Sequence, residues 1–426
     1  MGSCQTKAVE STVVERQSSA GFRVGVAEMN GWRNNMEDAH VIHIQPNWGF
    51  FGVYDGHGGE ACSKFVAKRM YELLAQNGCP EDDAAVKKLM LGIDDEFLQL
   101  GQPSGSTGTM CIIHPPQAPG GKYTLRVVNI GDSRVILGRR DGSIVDGGGT
   151  DQGLTIDHKP DHPSERERIY RCGGTVSEAA GGVARVNGDL AVSRAFGDAE
   201  YKRTGGPGPE DHPVTADPEL HRFECDQADF IMLVCDGVSE GDFPNPDVVR
   251  LAAAVLNETN DPGQASRVIC HKAVEMNSKD NITCMIVMLD GTLEQPRSCE
   301  FNPGPLAAEN KAFIEAYAAM AEKANLTLGQ AIEKRYEELQ TEFDAATPAG
   351  RALMQPELDR IGRPAGSKGS AERVAWFARW ADEKQRGDQD DGSDGASGPV
   401  GGDMAMLRML MGMMQGNVPP DQGGMP

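Results

Sequence analysis

Hydrophobic and polar positions along the first part of the chain predict strands that are followed by a pair of helices and then by more strands. Apolar runs at 22–27, 39–44 and 49–54 have the length and residue types of β-strands. Helical spacing follows at 60–76 and 82–100. Further strand-like runs lie at 107–114, 123–130 and 134–138.

The pattern continues in the same manner to about residue 289. A short strand at 154–157, a charged helix at 163–172, an apolar strand at 230–234, helices at 247–256 and 264–276, and a last strand at 282–289 are predicted. This order predicts an α+β sandwich and not regular βαβ winding. A Rossmann fold is disfavoured because no G-x-G-x-x-G opens a helix, and the chain contains no P-loop.

The two ends of the chain differ in composition from this central region. Residues 1–20 are polar, and we expect them to be flexible. Beyond the predicted catalytic region, 21–291, amphipathic helical spacing at 306–343 and a further helix at 371–383 predict a helical extension over 292–386. Residues 387–426 are expected to form a disordered linker and a tail.

The tail is rich in methionine between 404 and 414. Methionine side chains adapt to varied surfaces, so this segment is a candidate for docking a partner. An unstructured tail is the alternative.

Charge and size narrow the range of possible functions further. The chain has 426 residues, enough for a large core, with 63 Asp+Glu against 41 Lys+Arg and a formal net charge of −22. This excess of acid repels nucleic-acid phosphates, so we expect no nucleic-acid partner.

The cysteines and the N-terminal region indicate the compartment. Ten cysteines are present without a C-x-x-C pair, which favours free thiols in a reducing environment. No secretory signal and no apolar stretch of about 20 residues is seen, so we expect a cytoplasmic protein.

The first residues also carry an acylation pattern. Met1–Thr6 fits the N-myristoylation motif, which would place the acyl chain on Gly2, and Cys4 is a candidate for palmitoylation. Two acyl chains would give stable peripheral membrane attachment. A chance match to so short a motif is the alternative.

Three aspartates stand at the ends of predicted strands. Asp55 and Asp236 each follow an apolar run and precede a glycine, and Asp280 comes just before the last strand. Mg²⁺ and Mn²⁺ prefer oxygen ligands, and a pair of ions needs a bridging carboxylate. We therefore predict a two-metal hydrolase in which Asp55 bridges the ions and the Gly56 carbonyl approaches one of them.

Residues near these aspartates suit attack on a phosphate ester. The guanidinium of Arg33 can neutralise phosphoryl oxygens, and His57 can protonate the departing alkoxide. Glu37 and Asp38 could hold metal-bound waters. Each residue alone has an ordinary interpretation as a turn or a solvated face, and the Asp-Gly pairs at Asp141 and Asp146 are interpreted as turns.

A series of motifs from about residue 21 to 290 resembles the metal-dependent serine/threonine protein phosphatases of the type 2C family. The motifs occur in family order at 33–38, 51–59, 105–107, 129–134, 157–160, 185–198, 235–237 and 280–281. The resemblance implies a central β-sandwich of two antiparallel sheets flanked by helices, with an Mg²⁺ or Mn²⁺ pair at one end. It also implies a monomer whose substrates are phosphorylated proteins, attacked directly by a water that bridges two ions.

The same resemblance assigns roles to individual residues. It makes Asp55, Gly56, Asp236 and Asp280 metal ligands, Arg33 the phosphate-binding residue and His57 the general acid. Asp157 is implied as a ligand of a weaker third ion, and 199–216 as a mobile flap beside the site. The chain departs from the family pattern after Asp236-Gly237, where Val238 is followed by Ser239-Glu240.

Two alternatives accompany this interpretation. The chain could be a catalytically silent relative that binds partners, although it retains the metal aspartates and Arg33. It could also hydrolyse a different phosphate monoester.

Overall fold

Two antiparallel β-sheets form the centre of the computed structural model, which describes residues 4–178, 182–206, 208–291 and 295–386. The strands are β1 (Cys4–Ser19), β2 (Gly21–Arg33), β3 (Ala39–Gln45), β4 (Trp48–Tyr54), β5 (Gly56–His57), β6 (Gly105–Ser106), β7 (Gly108–His114), β8 (Tyr123–Ile130), β9 (Arg134–Gly138), β10 (Val176–Glu178), β11 (Ala184–Val186), β12 (Phe196–Gly197), β13 (Glu219–Cys225), β14 (Phe230–Val234), β15 (Ile282–Gly291) and β16 (Gln295–Asn302).

The larger sheet has six strands in the order β16-β1-β2-β15-β14-β9, and the second has five in the order β13-β8-β7-β4-β3. All the pairings in these two sheets are antiparallel. A three-stranded sheet, β12-β6-β5, and a two-stranded sheet, β10-β11, complete the set among the described residues. The predicted α+β sandwich is confirmed.

The core of the sandwich explains why several strands are apolar along their whole length. In β14, Ile231 and Leu233 pack between the two sheets, whereas Met232 and Val234 pack on the opposite face. Side chains alternate between faces along a strand. Both faces of β14 are therefore covered, and no position tolerates a polar residue.

Helices cover the outer faces of both sheets. The helices are α1 (Ala61–Asn77), α2 (Asp83–Leu98), α3 (Pro163–Arg171), α4 (Asp236–Ser239), α5 (Asn245–Thr259), α6 (Pro262–Glu275), α7 (Lys311–Lys323), α8 (Leu328–Ala345), α9 (Pro348–Ile361) and α10 (Ala371–Arg386). Helices α1 and α2 pack on the five-stranded sheet, and α5 and α6 pack on the six-stranded sheet. A Cβ on Gly25 of β2 would collide with the backbone of Gly263, so glycine allows α6 to lie directly on the sheet.

The prediction that residues 1–20 are flexible was wrong for the part that the structure describes. Strand β1 spans Cys4–Ser19 and lies between β2 and β16 in the larger sheet. Val9, Val13 and Val14 are buried. This polar-looking segment is ordered because strands pair with it on both sides and α7 packs against it.

The C-terminal extension is helical as predicted, but it begins with a strand. Strand β16 forms an edge of the larger sheet, so the predicted boundary at 291/292 divides a continuous sheet. The helices share a hydrophobic cluster with β1 and β16, which contains Val13, Phe301, Phe313 and Met36. The described residues up to Gln385 form one compact unit.

The predicted strand at 154–157 is not a strand in the structure. The backbone N–H of Leu154 donates to the carbonyl of Val135, and the rest of that segment turns away through contacts with the short 3₁₀ helix Thr150–Gln152.

None of the described helices is long and apolar enough to cross a lipid bilayer. Gly2 and residues 404–414 fall outside the described residues, and Cys4 is the first residue of β1.

Candidate active site

Five aspartates converge at one end of the sandwich because each lies where a strand of one of the two sheets begins or ends. Asp55 follows β4 and Asp236 follows β14, while Asp280 lies two residues before β15. Asp38 directly precedes β3, and Asp132 lies in the turn between β8 and β9. The sequence predicted the first four of these as part of the site and included Asp132 only within the 129–134 motif.

These carboxylates are buried and lie close enough together to repel one another. Burial raises the pKa of Asp55 well above its ordinary value, and the charges of Asp38, Asp236, Asp280 and Asp132 raise it further. The pKa of Asp236 is also raised well above its ordinary value, by burial and then by Asp132 and Asp280. A group of buried carboxylates that raise one another's pKa is unstable as a set of free anions and is stabilised by a cation.

The residues present fit a hard divalent cation. Carboxylate oxygens of Asp38 and Asp55 and the Sγ of Cys235 lie within 4.8 Å of one another. Oδ1 of Asp38 and Oδ1 of Asp236 are buried without a hydrogen-bond partner among the described residues. Buried polar atoms without a partner are rare in folded proteins, so these oxygens are available as ligands.

Gly56 lies in a place too tight for a side chain, and the role of its carbonyl as a metal ligand stays a prediction. A Cβ at this position would collide with the backbone carbonyl of Glu37, so a side chain is excluded. Asn281 fixes the neighbouring loop, since its Oδ1 accepts from the N–H of Glu37 at 2.9 Å and its Nδ2 donates to the carbonyl of Asn35 at 2.9 Å.

Asp38 and Glu37 occupy different environments. Asp38 is 1% exposed, and its Oδ2 accepts from Oγ1 of Thr283 at 2.7 Å. Burial raises the pKa of Asp38 to about 7. Glu37 is half-buried, and its Oε2 accepts from the N–H of Gly59 at 3.3 Å. Asp38 thus lies among the central carboxylates, whereas Glu37 lies at their border.

Arg33 lies against the carboxylate cluster. Its Nη2 donates to Oδ2 of Asp280. Burial alone would lower the pKa of Arg33, but the charges of Asp280, Asp55 and Asp236 raise it. The side chain is 35% exposed, so the guanidinium faces both the cluster and solvent.

His57 is held by a residue that the sequence did not single out. Its Nε2 lies 2.7 Å from Oδ2 of Asp198. The three-stranded sheet makes this contact, because β6 pairs with β5, which contains His57, and with β12, which ends one residue before Asp198. A Cβ on Gly105 of β6 would collide with both side chains. Burial opposes the charged imidazole, but Asp198, Asp132 and Glu37 raise the pKa of His57.

Asp157 pairs with an arginine. Both of its carboxylate oxygens accept from Arg134, at 2.9 and 2.8 Å. Asp132, whose Oδ2 accepts from Nζ of Lys159, raises the pKa of both Asp55 and Asp236, as Asp280 also does. Asp132 is therefore a further carboxylate of the buried group, and the role of Asp157 stays a prediction.

The departure at Ser239-Glu240 has a structural consequence. The Oε1 of Glu240 accepts from Oγ of Ser278 at 3.1 Å and from the backbone N–H of Lys279. Glu240 therefore fixes the turn that leads into Asp280.

The Asp-Gly pairs interpreted as turns are confirmed, since Asp141 and Asp146 each accept from a backbone N–H two residues further on.

An antiparallel sandwich with a buried carboxylate centre at one end is the arrangement expected of a metal-dependent hydrolase. The family model for Protein phosphatase 2C matches residues 22–282, more than half of the 426-residue chain, and the chain belongs to this family. It is therefore a metal-dependent protein phosphatase.

Individual relatives agree with this assignment. A "Probable protein phosphatase 1N" of Mus musculus is 34% identical over 298 residues, which cover 66% of this chain and 68% of that protein. "Protein phosphatase 2C homolog 2" of Schizosaccharomyces pombe is 31% identical, over 74% of this chain and 89% of that protein. The crystal structure of a phosphatase from Toxoplasma gondii superposes with a TM-score of 0.59 at 28% identity, over 69% of this chain and 100% of that one.

Proposed function

We propose that the protein hydrolyses phosphoserine and phosphothreonine in phosphorylated proteins by direct attack of a water on phosphorus. The observation that carries this proposal is the convergence of Asp55, Asp236 and Asp280 in one buried centre, with Arg33 bound to Asp280. This arrangement joins a cation-binding group to a phosphate-binding group.

The chain supplies oxygen ligands for two Mg²⁺ or Mn²⁺ ions. Asp55, Asp236 and Asp280 would hold them together with the Gly56 carbonyl, and Glu37 and Asp38 would orient bound waters. When bound, two such ions would lower the pKa of a coordinated water and neutralise charge on the phosphoryl group.

Arg33 binds the phosphoryl oxygens of the substrate. Its guanidinium presents a planar fork of donors that is charged at every physiological pH. The contact with Asp280 holds this fork beside the carboxylates before substrate arrives. Orientation in advance reduces the entropy lost when the phosphate binds.

His57 holds the proton that the departing serine or threonine alkoxide needs. The charge of Asp198 favours the imidazolium over the neutral ring, and the 2.7 Å contact limits rotation of the ring. A protonated and oriented histidine suits general-acid catalysis.

The test compares Mn²⁺-dependent hydrolysis of p-nitrophenyl phosphate and of a phosphothreonine peptide by wild type and Asp55→Ala. Asp141→Ala, at a surface turn, serves as the matched control. We expect activity in wild type and the control and a loss of at least about a thousandfold in Asp55→Ala. Equal rates in Asp55→Ala and wild type, or an inactive wild type, would contradict the proposal, and the latter would favour a silent relative that binds partners. Activity restricted to a small phosphate ester would favour a different monoester as substrate.

We also propose that the protein is cytoplasmic and attaches to membranes through myristoylation of Gly2, with Cys4 as a second acylation site. Support comes from the motif at Met1–Thr6. Gly2→Ala is expected to move the protein into the soluble fraction, and an unchanged distribution would contradict the anchor.

We propose that the protein is a monomer and that it binds a partner through the methionine-rich segment 404–414. Deletion of the residues after Gly402 should then alter partner binding and preserve turnover.

A further inference from the structure

Lys279 lies at the rim of the active site in a fixed position. It directly precedes Asp280, and Glu240 accepts a hydrogen bond from its backbone N–H. Its Nζ lies 3.9 Å from the ring centroid of Trp32, the residue next to Arg33. An ammonium over an indole face is attracted by the π-electrons, so this side chain is restrained although it is exposed.

In the described part of the chain, the Lys279 ammonium has no carboxylate partner. Among the described residues, no ion pair within 4.0 Å involves Lys279, in a chain with 63 Asp+Glu and only 41 Lys+Arg. The Oε1 of Glu240 accepts from the backbone N–H of Lys279 and from the Ser278 hydroxyl. The positive charge is therefore available to a molecule that approaches the site.

Trp32 contributes to the same arrangement. Its indole is half-buried, and its Nε1 is buried without a hydrogen-bond partner among the described residues. One face of the ring contacts the Lys279 ammonium. Arg33 follows Trp32 in the chain, and its guanidinium pairs with Asp280 and, on the proposed function, binds phosphate.

We propose that Lys279, held on Trp32, determines substrate specificity by pairing with an acidic side chain close to the phosphorylated residue. The proposal rests on the proposed function, since it requires a phosphorylated protein in the site. It assigns the two cations separate tasks, with Arg33 on the phosphoryl group and Lys279 on the neighbouring carboxylate. A restrained cation loses less conformational freedom on binding than a mobile surface lysine does.

The test measures kcat/KM for two phosphothreonine peptides that differ only in whether the flanking residues are Asp and Glu or Asn and Gln. Variants are Lys279→Met, Lys279→Arg and Lys279→Glu. Lys122→Met is the matched control. Lys122 is also exposed, but it precedes β8, and the length of that strand separates it from Asp132 at the active-site end. Turnover of p-nitrophenyl phosphate reports whether the metal centre of each variant is intact.

We expect Lys279→Met to reduce the preference for the acidic peptide about twofold to fivefold, the size of a partly solvated ion pair. The change should be in KM and should disappear at high salt. Lys279→Arg should restore the preference, Lys279→Glu should reverse it, and Lys122→Met should leave it unchanged.

An unchanged preference in active Lys279→Met enzyme would overturn the proposal. An equal loss for both peptides would also overturn it, because that result indicates contact with the phosphate itself. A wild type that does not hydrolyse p-nitrophenyl phosphate would instead contradict the proposed function, so the two failures are distinguishable.

Discussion

Oδ2 of Asp198 lies 2.7 Å from Nε2 of His57, although the two residues are separated by 141 positions in the chain. Asp198 has a positive φ of 52° and follows β12, which reaches His57 through β6 and β5. His57, the proposed general acid, is therefore held by a short sheet that belongs to neither main sheet.

Asp198→Asn should change the pH dependence of turnover. Asp198 raises the pKa of His57, so wild type loses the protonated imidazole only as pH rises through that raised value. Without the charge the pKa of His57 falls, and the alkaline decline in kcat moves to lower pH. We expect about tenfold less turnover of a phosphothreonine peptide at pH 8.

The effect of Asp198→Asn should be smaller for p-nitrophenyl phosphate, whose leaving group needs little protonation. Asp141→Asn, at an exposed turn, is the control. An alkaline limb at the same pH in Asp198→Asn and wild type would contradict this role.

A buried charge network should make stability depend on His40. His40 lies 3.0 Å from Glu28 and 3.2 Å from Glu15, and Glu28 also pairs with Lys323 of α7. Burial opposes protonation, but these glutamates raise the pKa of His40 to about 9. Since the pKa of an unfolded histidine is about 6.5, the contribution is complete below that pH and is lost as pH rises through about 9.

His40→Gln should therefore be about 2 kcal/mol less stable than wild type at pH 6, with a much smaller difference at pH 10. Urea unfolding between pH 6 and pH 10 measures the free energy of unfolding of both proteins. Groups that titrate equally in both proteins cancel when the two values are subtracted. A constant difference at every pH would rule out the charge of His40 as its source.

The helical extension should unfold together with the catalytic region. Phe313 of α7 is fully buried in the cluster that contains Met36, and Met36 lies in the loop between Arg33 and Asp38. Phe313→Ala should lower the free energy of unfolding of the whole unit by about 3 kcal/mol. Leu353→Ala is the control, since Leu353 is 84% exposed on α9.

Coincident loss of activity and of helix signal during urea unfolding of Phe313→Ala would agree with one cooperative unit. Persistence of activity after the extension has unfolded would show that the catalytic region is independent of it.

Long apolar runs allowed much of the fold to be predicted from the sequence. Strands β8, β9 and β14 have the predicted bounds, because both of their faces are largely covered and few polar residues interrupt them. Strands β1 and β16 were missed. The exposed positions of β16 look like a loop, and β1 is ordered by partners that are distant in sequence.

The candidate site could be predicted only in part, for a related reason. Asp55 and Asp236 were found because an aspartate-glycine pair at the end of an apolar strand is a local signal. Asp132 and Asp198 lie in turns that resemble any other turn, and only pairing between distant strands brings them to Asp236 and His57. No local pattern contains that information.

The central claim is that Asp55, Asp236 and Asp280 together bind divalent cations. Calorimetric titration of Mn²⁺ into wild type, Asp236→Asn and the control Asp141→Asn at pH 7 measures this directly. We predict that wild type and the control bind two ions and release protons, because the pKa of Asp38 is raised to about 7 and that of Asp55 is raised as well. We predict that Asp236→Asn loses most of this binding, and Mn²⁺ binding of equal affinity and stoichiometry in all three proteins would contradict the account.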